Sequence, residues 1–173
     1  SQARADSKRY PSVDPVDSYS KYLEYAEVQK FMGEQYGPTW VPNVVRVKNM
    51  LLRGKEVKEQ INILGDDSVP ISYHETFWKA ELIDFALLQQ DAFDKIDSYS
   101  PMNRQRTMLE IILGICDSSF KFEGFEEVQQ FFKSVINSSI LAVAIGSSAE
   151  VGSSNSNISG SVASARAIQS LCC

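Results

Sequence analysis

Apolar residues recur at helical intervals along most of this chain. Tyr19, Tyr22, Leu23, Ala26 and Met32 form a first stripe, which Asp17 or Ser18 can cap and Gly37-Pro38 breaks. A second helix starts near Trp40 and carries Val41, Val44, Val45, Val47, Leu51 and Leu52. Gly54 is a candidate interruption, yet Val57, Ile61 and Leu64 keep the period until Gly65 supplies a stop. Gly65 to Ser72 reads as a loop, marked by Asp66-Asp67-Ser68 and Pro70. A third helix is predicted over roughly His74 to Asp91, with Phe77, Trp78, Leu82, Phe85, Ala86 and Leu88 on a broad apolar face. After a Phe93–Tyr99 connection, Ser100 suits an N-cap and Pro101 the first helical position. Met108, Leu109, Ile111, Ile112 and Ile115 then pattern a fourth helix. In the fifth, Phe125, Val128, Phe131, Phe132, Val135 and Ile136 share one stripe, and Glu126, Glu127, Gln129, Gln130 and Lys133 the other.

Residues 16–136 show no comparable alternating strand pattern, so the expected fold is all-α, an antiparallel helical bundle with a flexible Ser/Gly-rich tail. Residues 1–15 are polar and end in two prolines, Pro11 and Pro15, which favour an extended linker. The helical domain is placed at 16–137. Beyond it, 138–173 is low in complexity apart from the apolar run Ile140–Ile145, where a docked turn is conceivable, and is expected to be a mobile tail.

With 173 residues there is enough chain for one domain with a real core. The formal charge of −5 argues against nucleic acid, whose phosphates need a basic face. No apolar run is long enough to span a bilayer, and the polar start lacks the apolar core of a signal peptide. The absence of an initiating Met suggests an excised fragment or processed product. Cys116, Cys172 and Cys173 form neither a disulfide framework nor a zinc motif, so a reducing cytosolic setting is expected.

Catalytic signals are lacking. Gly54-Lys55 is followed by Glu56 and has no upstream glycine, so it is not a phosphate-binding loop. The sole histidine, His74, is expected to cap or lie on the surface at a helix start. The carboxylate pairs Asp66-Asp67, Asp94/Asp97 and Glu126-Glu127 fit solvated loops and helix faces better than a metal site, which needs more convergent ligands.

The richest segment is Leu88-Gln89-Gln90-Asp91-Ala92-Phe93-Asp94-Lys95-Ile96-Asp97-Ser98-Tyr99-Ser100-Pro101. It places two amides and two spaced rings at the end of an apolar helix, where a planar base could stack. Spacing alone leaves a plainer alternative open, with Gln89-Gln90 as a polar helix face and Phe93 and Tyr99 as core.

Leu88-Gln89-Gln90-Asp91-Ala92-Phe93 resembles the Leu-Gln-Gln-Asn-Ala-Phe segment in the C-terminal part of the catalytic A subunit of V-type and archaeal-type rotary ATPases. Asp97-Ser98-Tyr99-Ser100-Pro101 resembles that family's Asp-x-[Tyr/Phe]-Cys-[Pro/Ser], and Arg9-Tyr10-Pro11-Ser12-Val13-Asp14 its His-Phe-Pro-[Ala/Ser]-[Ile/Val]-Asn. Ser18-Tyr19-Ser20-x-Tyr22 matches Ser-Tyr-Ser-x-Tyr, and Met108-Leu109-x-Ile111-Ile112-Leu113 resembles Met-Leu-Lys-Leu-Ile-Leu. The likeness covers about residues 3 to 136 in order. Asp14-Pro15 stands for Asn-Trp, Asp91 for Asn and Ser100 for Cys, and the tail has no counterpart.

The resemblance implies that Tyr10, Phe93 and Tyr99 frame the adenine of ATP or ADP, with Gln90, and Gln89 beside it, near ribose or base. It implies that residues 1–15 lead in from a nucleotide-binding domain outside this chain, which holds the phosphates and Mg2+. The implied whole is a cytoplasmic A3B3 hexamer peripheral to the membrane. It hydrolyses or makes ATP coupled to H+ or Na+ movement, and touches B subunits and the central stalk. Alone, this chain should not hydrolyse ATP. The competing expectation is a non-catalytic helical interaction module with no nucleotide role.

Overall fold

The computed structural model describes residues 2–6, 9, 11–18, 21–89 and 99–146, and among these it is all helical with no strand. The helices are α1 (Gln2–Asp6), α2 (Ala26–Tyr36), α3 (Trp40–Leu64), α4 (Ile71–Ile83), α5 (Met102–Asp117) and α6 (Phe125–Gly146). One π turn, Asp84–Leu88, extends α4, and short 3-10 turns lie at Tyr22–Glu24 and Asp66–Ser68.

The expected first helix is broken in two. Asp14 captures its own chain instead: its Oδ1 accepts the backbone N–H groups of Val16 at 2.9 Å and Asp17 at 3.1 Å. Such a side-chain-closed turn competes with helix initiation, so Asp17 and Ser18 do not cap α2, which starts after Tyr25. Lys55 on α3 fixes the turn by pairing with Asp17 at 2.9 Å.

Gly54 does not interrupt α3, which runs 25 residues, about 37 Å. It is instead the contact point with α4: a Cβ there would collide with the Cβ of Ala80. Gly65 ends α3 with φ +88°, a conformation that side chains disfavour, and its N–H still reaches the Ile61 carbonyl at 2.8 Å.

Helix α4 is the centre of the bundle, packing on α3, α5 and α6. That explains its poor amphipathicity, because a helix with neighbours on several sides has no free polar face. Leu82 and Ile83 are fully buried beside Val128 and Phe132 of α6 and the Leu109, Ile112, Leu113, Cys116 stripe of α5. The stripe read for the fifth helix is the one buried, with Val128, Phe132, Val135 and Ile136 inside and Phe125 and Phe131 half-buried.

Two boundaries moved. Pro101, not Ser100, is the N-cap of α5; Ser100 lies one residue out, its carbonyl capped by the Gln105 side-chain amide at 2.9 Å. The last helix continues past Asn137 to Gly146, because the Ile140–Ile145 run extends it rather than forming a separate turn. Tyr19 and residues 147–173 lie outside the described residues.

Candidate functional site

The end of α4 is where the expected base-binding segment begins. There the backbone widens into the π turn, closed by the Gln89 N–H donating to the Asp84 carbonyl at 2.9 Å. Single π turns are rare and recur at functional sites. Gln89 leaves it extended and exposed. Tyr99, just before α5, is 77% exposed, so it is not a core ring. Tyr10, Gln90 and Phe93 lie outside the described residues, as do Asp94 and Asp97.

Asp84 opens the π turn and is only 7% exposed, although it is a carboxylate. It is compensated from far away in sequence. Arg4 of α1 donates to both its oxygens, at 2.8 and 3.0 Å, and Arg9 donates to Oδ2. Arg9 also pairs with Glu81 one turn earlier, and its guanidinium lies 4.1 Å from the centre of the Phe85 ring. Burial alone would discourage the Arg9 charge, but its hydrogen bonds and proximity to Glu81 and Asp84 more than compensate, and its pKa is raised. Removing one partner of such a part-buried pair typically costs about 3–5 kcal/mol, because the other charge is stranded.

The same arginines are also linked through backbone groups. The Arg9 N–H bonds the Arg4 carbonyl at 2.9 Å, and Arg4 Nε reaches the Pro11 carbonyl at 3.4 Å. Arg9 and Pro11, on either side of position 10, are therefore tied directly or through Arg4 to Asp84, whose backbone carbonyl accepts from Gln89. Sequence reasoning missed this cluster. The available signal was Asp84 itself, a charge set among Leu82, Ile83 and Phe85 in an otherwise apolar run.

Other chemistry-bearing groups are structural. His74 is 3% exposed, not a surface or capping residue. It donates from Nε2 to the Asp66 carbonyl at 3.0 Å and stacks on Phe125, 5.1 Å between ring centres, pinning the loop after Gly65. Burial pushes the Cys116 thiol up to about 11, which leaves it a poor nucleophile at neutral pH. No cluster of His, Cys, Asp or Glu among the described residues is arranged to hold a metal ion. No helix described is long and apolar enough to cross a membrane.

A sizeable concavity lies elsewhere, a groove of about 1160 Å³ between α2, α3 and α4 that includes Val41, Val45 and Met50. Of the four cations on it, Lys30, Arg46 and Arg53 face Glu34, Asp117 and Glu56 respectively, and Lys79 is the fourth.

Residues 29–122 match the family profile described as the C-terminal domain of V and A type ATP synthase. This chain belongs to that family. Similar relatives carry the name V-type ATP synthase alpha chain. The one from Protochlamydia amoebophila is 36% identical over 137 residues, 79% of this chain and 23% of the relative. Those from Chlamydia pneumoniae and Chlamydia abortus are 38% and 36% identical over 132 residues, 76% of this chain and 22% of each relative. The chain thus spans less than a quarter of the relatives it matches. As a V/A-type C-terminal domain it has the all-helical architecture expected from its sequence.

Proposed function

We propose that this domain supplies the adenine side of a nucleotide site in a catalytic A (alpha) subunit that couples ATP hydrolysis or synthesis to H+ or Na+ transport. The rings of Tyr10, Phe93 and Tyr99 stack on the base, and the Gln89 and Gln90 amides orient it through their donors and acceptors. The nucleotide-binding domain, outside this chain, holds the phosphates and Mg2+. The observation that carries the reading is the Asp84 cluster, which ties the residues flanking position 10 to the turn that ends in Gln89. The exposure of Gln89 and Tyr99 and the names of the relatives add support.

Within a cytoplasmic A3B3 assembly, contacts to B and central-stalk subunits would cover apolar surface that is now open. Ile63 and Leu64 at the end of α3, and Val45 in the long groove, are such surface. A helical interaction module without a ligand would use the same surface.

Stacking contributes about 1–3 kcal/mol per base. In the assembled enzyme, Phe93→Ala should therefore weaken nucleotide binding by about 5- to 150-fold while shifting the domain's melting temperature little. Equal loss of binding and stability would make the ring a packing residue and end the proposal. The 173-residue chain alone should bind ATP no better than about 1 mM, since a few stacking contacts leave roughly 4 kcal/mol net. Micromolar binding in calorimetry would contradict that.

A further inference from the structure

The groove between α2, α3 and α4 follows from how α3 distributes its apolar residues. Val47, Leu51 and Val57 are buried, whereas Val41 and Val45 lie on the groove side, with Val45 46% exposed. A helix with apolar residues on a second side has a second face to cover. From α2 the groove takes Ala26, Gln29 and Gly33, which recur at helical spacing. At Gly33 it is open, since an added Cβ would meet nothing within 4 Å. Val41 to Arg53 is about 18 Å of helix, the length of a docked helix of roughly a dozen residues. The volume of about 1160 Å³ exceeds the roughly 300–1,000 Å³ of small-molecule pockets.

The charge of the groove runs against that of the chain. The chain carries −5, yet the described residues lining the groove include four cations, Lys30, Arg46, Arg53 and Lys79, and one carboxylate, Glu34. Three of the cations pair with Glu34, Asp117 and Glu56, but all six of those side chains are 46–79% exposed. Exposed pairs contribute little, so their cations can exchange partners for a carboxylate brought in over an apolar floor. A basic rim disfavours a cationic partner, the apolar floor disfavours a purely polar one, and the concavity does not fit a flat bilayer.

We infer that this groove is the docking site for an amphipathic helix of another polypeptide, with an apolar stripe flanked by acidic residues. The inference rests on the subunit contact proposed above for Val45 and gives that contact its chemistry; no nucleotide role enters it. The apolar stripe covers Val41, Val45 and Met50, and the flanking carboxylates meet Arg53 and Lys79.

The test uses the 173-residue chain and labelled peptides of about 15 residues, read by fluorescence anisotropy. One peptide has leucines at i, i+3, i+4 and i+7 flanked by glutamates, the second has lysines in place of the glutamates, and the third scrambles the acidic sequence. The acidic helix should bind at least about ten-fold more tightly than either control, and added salt should weaken it. Gly33→Trp should abolish binding with the melting temperature held, because its ring enters open space. Arg53→Glu should weaken binding about five-fold, and its exposed pair with Glu56 keeps the test decisive should Gly33→Trp fail to fold. Equal binding of the lysine peptide, or binding indifferent to both variants, overturns the inference. A dimer in sedimentation velocity that Gly33→Trp dissociates would give the groove to a second copy of this chain and overturns it too. If no peptide binds while the longer subunit still assembles with its partners, the acidic-helix inference falls and the subunit contact stands.

Discussion

Gly54→Ala on α3 is a sharp test of the packing, because two effects of known size oppose each other. In a helix interior, alanine is favoured over glycine by about 1 kcal/mol. Against this, the new methyl would collide with the Cβ of Ala80, an atom with no rotamer to escape through, and would meet the Thr76 carbonyl oxygen at 3.7 Å. Overpacking of this kind costs about 1–3 kcal/mol. The net change should be a destabilisation of about 0–2 kcal/mol, read from urea unfolding followed by circular dichroism. Gly114→Ala on α5 is the internal control, since nothing lies within 4 Å of the added methyl and the propensity gain should appear undiluted. Adding Ala80→Gly to Gly54→Ala removes the clash and should recover part of the loss. If Gly54→Ala stabilises as much as Gly114→Ala, α3 and α4 are not in close contact. The placement of the π turn at the end of α4 would then lose its footing.

Two further outcomes concern pH. Cys116 has its folded pKa raised to about 11 by burial, above its unfolded value, so its contribution is complete below about pH 8.5 and fades as pH climbs toward 11. That fade should amount to about 3 kcal/mol, and Cys116→Ala should show a shallower alkaline decline in urea unfolding; identical slopes would refute the buried thiol. Asp14 behaves oppositely: burial would raise its pKa, but the N–H groups of Asp17 and Val16, with Lys55 and Arg4 nearby, hold it below the ordinary value. Its stabilisation is present above about pH 4 and lost as pH falls through the lower folded pKa. Asp14→Asn should therefore blunt the acid drop in melting temperature, and an unchanged drop would show that the turn carries no such charge dependence.

Periodicity made the bundle legible where a helix has one clear apolar stripe. α6 is the plainest instance: Val128, Phe132, Val135 and Ile136 read directly as the buried face. It was less informative for α4, whose buried surface wraps most of the way round, and it could not locate the π turn, which adds a residue without altering composition. Local chemistry misled at two places. Asp17 and Ser18 looked like caps, but Asp14 closed its own turn first. His74 looked like a surface residue because its partners, the Asp66 carbonyl and the Phe125 ring, come from a loop and from a helix fifty residues on in the chain. The proposed base-binding set rests on family likeness, since ring spacing alone could not separate stacking from packing. Gln89 and Tyr99 are exposed on either side of the segment, while Tyr10, Gln90 and Phe93 lie outside the described residues.

The Asp84 cluster explains why a site of this kind needs more than rings. Stacking is tolerant: a ring a little out of place still attracts a base, so stacking groups do not fix their own positions. Apolar packing is similarly forgiving of small slides. A buried carboxylate is not, because a charge deprived of its partner in a low-dielectric setting costs several kcal/mol at once. Asp84 therefore holds Arg4 and Arg9 within a narrow range of positions, and with them the start of the chain against the end of α4. That constraint follows from electrostatics and burial rather than from any helix geometry.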